Sequence, residues 1–368
     1  MVSRKEEMEL YSSVLLAAAC IFFCSTIAEA AKIGVNYGMD ANNLPPPDQV
    51  VNMLKSNNIG KMRIFSANHV ALEAFKNSGI DVIVGVGNDE LQKIGSDQAA
   101  ADGWVKDNVR AFYPATNIKY IAVGNEVFAN RQYLSYLFPA MQNIQKAIVS
   151  ANLQNNIKVS TTHASSVLGN SFPPSAGEFG NDVKDIMSSI LNFLAQNGSP
   201  FMANVYPYFS YNGNRAQISL DYALFRSTNT VVNDEGRMYK SLFDALVDSL
   251  IAAMEKLGHP NIAIVITESG WPSAGNDVAT VDNARTYNNN LIKHVLSNDG
   301  TPRRPGSSIE TYIFALFNEN LKGGDETERH FGLFNADKSP AYSVNFSPQL
   351  TLASWQSLAS WQSLLGSN

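Results

Sequence analysis

Hydrophobic positions along the 368-residue chain fall into eight short, nearly continuous apolar runs, at 33–37, 61–65, 81–86, 118–123, 157–161, 201–205, 262–267 and 311–317. The runs are rich in Val and Ile, the pattern of strands buried on both faces under covering helices. Between them lie longer stretches with helical spacing of apolar residues, such as 47–57, 132–151 and 239–257. Strand–helix alternation repeated eight times predicts an α/β protein built as a single (β/α)8 TIM barrel. An open doubly wound sheet is the competing arrangement. Gly85-Val86-Gly87 resembles the start of a dinucleotide-binding loop, but the sixth position of that pattern is Glu90, where the loop needs Gly or Ala.

One connection is unusually long. Residues 206–233 follow the sixth run and are rich in Tyr, Asn, Gly and Ser. Long loops in compact domains are functional or disordered, and the aromatic content here predicts a small ordered subdomain inserted after strand 6 at the barrel mouth. The chain therefore divides into a leader over 1–30, a (β/α)8 domain over 31–346 and a C-terminal tail over 347–368. The tail holds a tandem repeat, Ala353-Ser354-Trp355-Gln356-Ser357-Leu358 followed by Ala359-Ser360-Trp361-Gln362-Ser363-Leu364. It is too short and too polar for a lipid-anchor signal.

The leader changes the picture of where the protein goes. Arg4 and Lys5 precede an apolar run over 14–27, and Ala28-Glu29-Ala30 has the small-x-small form of a signal-peptidase site. The run is shorter than the roughly 20 residues of a bilayer span, so a signal peptide is expected rather than an anchor, with no membrane association after cleavage. Glu6, Glu7 and Glu9 dilute the positive charge at its start. Both cysteines, Cys20 and Cys24, lie in this leader, so the mature chain is expected to lack thiols and disulfides and to hold itself by its core. Net charge is -6, with no dense Lys/Arg stripe, which argues against nucleic acid and fits a neutral partner such as a polysaccharide. A monomer is expected.

In a barrel of this kind the working residues sit where strands end. The fourth run ends Val123-Gly124-Asn125-Glu126-Val127 and the seventh Ile266-Thr267-Glu268-Ser269-Gly270-Trp271-Pro272. A single Glu after a strand reads more readily as a cap or a loop ion pair. Two carboxylates at matched strand ends on opposite sides of the ring are what glycoside hydrolysis needs: one protonates the leaving oxygen, the other attacks the anomeric carbon or activates water. Asn125 is placed to bond a sugar hydroxyl and Trp271 to stack on a sugar ring. The eighth run adds Glu319 and Lys322, which would help separate the two carboxyl pKa values, although Lys322 reads equally as a surface lysine. Glu328 carries less weight, because the charged stretch 325–329 reads as a solvated loop. Tyr37, Tyr206 and Tyr208 are expected to line a carbohydrate cleft and Phe209 to pack in the core. The five histidines lack metal-ligand spacing, and His163 reads as a buried, hydrogen-bonded side chain; no metal and no cofactor is expected. No nucleophile elbow or phosphate-binding loop occurs. Two glycosylation sequons, at Asn197 and Asn345, are each followed by proline, which is expected to lower occupancy.

Six segments together resemble the plant β-1,3-glucanases of glycoside hydrolase family 17. They are Ile33-Gly34-Val35-Asn36-Tyr37-Gly38, Asn42-Asn43-Leu44-Pro45, Val123-Gly124-Asn125-Glu126-Val127, Gly169-Asn170-Ser171-Phe172-Pro173-Pro174-Ser175, Thr267-Glu268-Ser269-Gly270-Trp271-Pro272-Ser273 and His330-Phe331-Gly332-Leu333-Phe334. The resemblance runs from about Lys32 to Phe346. It implies a long cleft and retaining endo-hydrolysis of (1→3)-β-glucan (callose, laminarin, fungal wall glucan), with Glu126 as acid/base, Glu268 as nucleophile, and Glu319 and Lys322 in support. The leader implies entry to the secretory pathway, with an extracellular, cell-wall or alternatively vacuolar destination, and the role expected is defence or wall remodelling. One departure stands out: where the family usually has a tyrosine after the second strand, this chain has Phe65, without a hydroxyl to reach the nucleophile or the sugar. The competing functions are a mixed-linkage (1→3,1→4)-β-glucanase and a catalytically weak glucan-binding wall protein.

Overall fold

A computed structural model of the chain describes residues 33–129 and 131–347. The leader at 1–30 with Cys20 and Cys24, and the tail from 348 on with its tandem repeat, lie outside the described residues.

Eight parallel strands close into a barrel: β1 (Ile33–Asn36), β2 (Lys61–Ile64), β3 (Asp81–Val86), β4 (Asn117–Asn125), β5 (Lys158–Ala164), β6 (Phe201–Asn204), β7 (Ile264–Ser269) and β8 (Glu310–Ile313). Each pairs with its neighbours in sequence, and β8 pairs with β1 to shut the ring. The apolar runs become strands because helices cover their outer face while the inner face fills the barrel. Met62, Val84 and Ile121, for instance, point into the outer core; Ile83, Ala122, Met202, Val265 and Tyr312 form the inner plug. Below the plug, at the strand starts, Lys61 Nζ lies 3.3 Å from Asp81 and 3.0 Å from Glu310, and the Tyr312 hydroxyl donates to Glu310 at 2.8 Å. These ion pairs bound the plug at the strand starts; in barrels of this kind the working site lies at the opposite end.

Helices follow the strands in turn. The stretch at 47–57 forms a helix over Pro47–Ser56, with Pro47 in its first turn, where a missing N–H costs nothing. The stretch at 132–151 forms a helix over Leu134–Ser150 behind a tight turn at Arg131–Tyr133. The stretch at 239–257 starts later than its spacing predicts, at Leu242, because Arg237–Tyr239 pairs with Val232–Asp234 as a hairpin and Ser241 then caps the helix by accepting from the Asp244 N–H. The eighth strand stops at Ile313, short of the predicted 317. Its continuation turns to another partner: the Ala315 N–H donates to the Phe331 carbonyl, and the Phe334 N–H to the Leu316 carbonyl. The insertion after β6 holds two short helices, Pro207–Gly213 and Leu220–Ala223, and the hairpin. It is anchored where the Ser175 N–H and hydroxyl both donate to Asp234. Among the described residues no helix is long and apolar enough to cross a membrane.

Candidate active site

A cleft of about 680 Å³ opens at the C-terminal ends of the strands. Glu126, Glu268, Glu319, Lys322, Tyr37, Phe65, Asn125 and Tyr206 all line it. The sequence-predicted carboxylates, drawn from β4 and β7, therefore meet in one place.

Glu126 is aimed by an irregular strand end. The pairing of β4 with β5 slips between Ala122 and Asn125, and Gly124 and Glu126 both adopt left-handed backbone, at φ 72° and 51°. Glycine takes that conformation freely; a glutamate there is held against a local cost of about 1–2 kcal/mol. The surroundings enforce it. The Glu126 N–H donates to the Thr162 carbonyl at 2.9 Å, and Asn88 brackets the preceding peptide, accepting from the Asn125 N–H at 2.8 Å and donating to its carbonyl at 2.9 Å. Glu268 sits in β7 and is almost fully buried. Arg63 Nη1 donates to its Oε1 at 2.8 Å, and the Tyr206 hydroxyl donates to its Oε2 at 2.7 Å.

The two carboxylates are joined through side chains. The other arm of Arg63 donates to Asn125 Oδ1 at 2.8 Å, and Asn204 Nδ2 donates to Glu126 Oε1 at 2.8 Å and to Asn125 Oδ1 at 3.3 Å. The Thr267 hydroxyl donates to Asn204 Oδ1 at 2.9 Å, fixing which way that amide faces. Burial, and then the charge of Glu268, push the Glu126 carboxyl above the usual range; the Asn204 amide and Arg63 offset part of this. Glu268 is ion-paired and doubly hydrogen-bonded. One carboxyl is thus biased to hold a proton beside another held by a cation, the asymmetry that acid and nucleophile roles require. Burial and Glu268 raise the Tyr206 hydroxyl well above the ordinary tyrosine value, so it stays a donor.

Glu319 is buried against the loop after β1, its Oε1 accepting from the Asp40 N–H at 2.9 Å. Burial raises its pKa, against the pull of that N–H and of Lys322. Lys322 Nζ lies 3.9 Å from the centre of the Phe314 ring and 3.5 Å from Glu328. Tyr37 packs edge-on against Phe317, and burial lifts its hydroxyl to about 12.

Four expectations are corrected. Trp271 cannot stack on a sugar: it is wholly buried, its indole N–H donates to the Val278 carbonyl at 2.9 Å, and its ring packs against Tyr208 and Tyr287. Tyr208 is also buried, its hydroxyl accepting from Asn276. A helix begins at Pro207, so successive residues leave at about 100° to one another rather than alternating. Tyr206 consequently faces Glu268, Tyr208 turns under the loop, and Phe209, expected in the core, is 45% exposed and lines the cleft. His163 is buried but finds no hydrogen-bond partner among the described residues; it stacks on Phe201 at 4.7 Å, and burial drives its pKa down to about 3.

The sequence pattern gave no role to Arg63 and Asn204, which hold the cleft, and gave little weight to Glu328, which lines it. Arg63 left a readable signal. It is a cation in the middle of an apolar strand, and a charge there must have a buried partner.

A model of the glycosyl hydrolases family 17 matches residues 33–346. A glucan endo-1,3-beta-glucosidase of Vitis vinifera is 52% identical over 337 residues, which cover 91% of this chain and 97% of that protein. The basic vacuolar isoform GLB of the same activity from Nicotiana tabacum is 50% identical over 336 residues, 90% of this chain and 89% of that protein. The solved structure of CJP38, a beta-1,3-glucanase and allergen of Cryptomeria japonica pollen, superposes with a TM-score of 0.84 at 68% identity, covering 86% of this chain and 99% of that one.

Proposed function

The chain belongs to glycosyl hydrolase family 17, and from that premise we propose that it hydrolyses internal linkages of (1→3)-β-D-glucan with retention of anomeric configuration. The observation that carries this reading is the linked pair: Glu126 biased towards its protonated form, Glu268 ion-paired to Arg63, both open to one cleft.

In the first step Glu268 attacks the anomeric carbon while Glu126 gives its proton to the departing glycosidic oxygen, leaving a covalent glycosyl–enzyme ester. In the second, Glu126, now a carboxylate, takes a proton from water, which attacks the same carbon and frees Glu268. Arg63 and Tyr206 keep the Glu268 carboxylate oriented for the attack, and Asn204 does the same for Glu126. Phe209 and Phe65 offer apolar faces to sugar rings. The leader over 1–30 and the vacuolar Nicotiana relative support entry to the secretory pathway, with wall or vacuole as destination.

Release of reducing ends from laminarin, barley β-glucan and carboxymethyl cellulose tests substrate class. Rapid release from laminarin with little from the others is expected. Dominant release from barley β-glucan would reassign the chain to mixed linkage, and binding without release from any would remove the enzyme reading. NMR of the first product formed tests stereochemistry: the β anomer is expected.

A further inference from the structure

Asn36, the last residue of β1, has a side chain outside the hydrogen bonds that hold Glu126 and Glu268. It faces the barrel interior. Two residues earlier, a Cβ on Gly34 would meet the Tyr312 ring of the inner plug at 2.4 Å, whereas Val35 between them packs into the outer core. Strand alternation therefore puts Asn36 inside. Its register partner on the adjacent parallel strand is Arg63, which shares that inward face and reaches Glu268 and Asn125. Asn36 is 0% exposed, yet among the described residues neither Oδ1 nor Nδ2 of its amide has a hydrogen-bond partner, and Arg63 Nε is equally unpaired. Native interiors rarely bury three unpaired polar atoms on neighbouring residues, and an apolar side chain would fill the same space at less cost.

We propose that Asn36 is a positioning residue for the nucleophile, acting through one buried water that joins its amide to the Nε–H of Arg63. The water accepts from Nε–H and donates to Asn36 Oδ1. Adjacent strands lie about 4.8 Å apart, a span that one water can bridge between two inward side chains. Arg63 then has its Nη1 on Glu268 and the Thr267 carbonyl, its Nη2 on Asn125, its face on Phe65 at 4.5 Å and its Nε on Asn36. This fourth restraint stops the guanidinium from rocking in its own plane, which would swing Glu268 off its line of attack. The inference rests on the reading of Glu268 as nucleophile.

Asn36→Leu removes both polar groups at similar volume. On laminarin, kcat is expected to fall by up to about 100-fold with KM little changed. Asn36→Ser keeps a hydroxyl and leaves room for a second water, so it should recover most of the rate. A Leu variant with wild-type kcat, one that loses through KM rather than kcat, or a Ser variant as slow as the Leu variant, overturns the proposal. If the Leu variant shows no cooperative melting, a high-resolution crystal structure of the wild type decides. A water within about 3.2 Å of both Arg63 Nε and the Asn36 amide supports the proposal, and a dry contact there overturns it. That water is read whether or not the enzyme turns over, and Glu268→Gln tests the nucleophile separately, so the two failures can be told apart.

Discussion

The Tyr206 hydroxyl donates to Glu268 Oε2 at 2.7 Å, while Arg63 occupies the other oxygen of the same carboxylate. A hydrogen bond to a charged group contributes about 1.5–3 kcal/mol, so Tyr206→Phe should lower kcat/KM on laminarin by roughly ten- to a hundredfold. A Tyr206→Phe variant with wild-type kcat/KM would mean that the hydroxyl has no part in holding Glu268 for the reaction.

As the proposed acid, Glu126 should set the alkaline side of the pH profile. Burial and Glu268 raise its pKa, so the proton donor is lost as pH rises through that raised value, and kcat/KM on glucan should fall there. Glu126→Gln should abolish that limb. It should retain formation of the glycosyl–enzyme with an aryl β-glucoside whose leaving group needs no proton, seen as a burst of phenol. The linkage to stability has a definite sign. A raised folded-state pKa contributes stability below the unfolded value, about 4.3, and that contribution is lost as pH climbs through the folded value. Glu126→Gln should therefore melt close to wild type at pH 4, where both side chains are neutral, and gain on it as pH rises to 7. Melting curves at the two pH values check this.

The barrel was legible because strands buried on both faces have to be apolar, and eight such runs stand out. Glu126 and Glu268 were legible because a carboxylate ending an apolar run is conspicuous. Side-chain direction was not legible. Tyr206, Tyr208 and Phe209 are one aromatic cluster in sequence, and only the helix starting at Pro207 decides which ring meets Glu268 and which meets Trp271. The concern over Phe65 has the same origin. A hydroxyl missing from the end of β2 matters less when Tyr206, from the end of β6, already donates to Glu268. Asn204 and the partners of Arg63 were hidden because each contact runs across the barrel, between strands far apart in sequence.

Trp271 and Phe209 separate packing from binding. Trp271→Ala empties a fully buried site and should cost about 3–5 kcal/mol of stability, read in denaturant unfolding, while KM of the protein that remains folded changes little. Phe209→Ala should do the reverse. The ring is partly exposed on the cleft wall, and losing an aromatic face worth about 0.5–1.5 kcal/mol should raise KM for laminarin roughly two- to tenfold with melting nearly unchanged. A raised KM in Trp271→Ala without loss of stability would restore the sugar-stacking role.

Gly38 is needed for a close approach rather than for a turn. A Cβ there would sit 2.3 Å from both carboxylate oxygens of Glu319. The two loops are stitched together around this contact: Asp40 N–H donates to Glu319, Leu321 N–H to the Asp40 carbonyl at 3.0 Å, and Asn320 Nδ2 to Asn42 Oδ1 at 2.9 Å. Gly38→Ala should push Glu319 off the Asp40 N–H and carry its negative charge away from Lys322. Overpacking of this kind costs about 1–3 kcal/mol. If the cost arises at Glu319, then Glu319→Ala in the same chain makes room for the methyl, and the pair should be non-additive by about 0.5–3 kcal/mol in a double-mutant cycle of unfolding free energies. Activity should follow a different rule. Gly38→Ala and Glu319→Ala should each lower kcat, and the double variant should be no slower than Glu319→Ala alone, because the methyl acts on catalysis only through the carboxylate it displaces. An additive cycle in both stability and kcat would place the effect of Gly38 in its own loop instead.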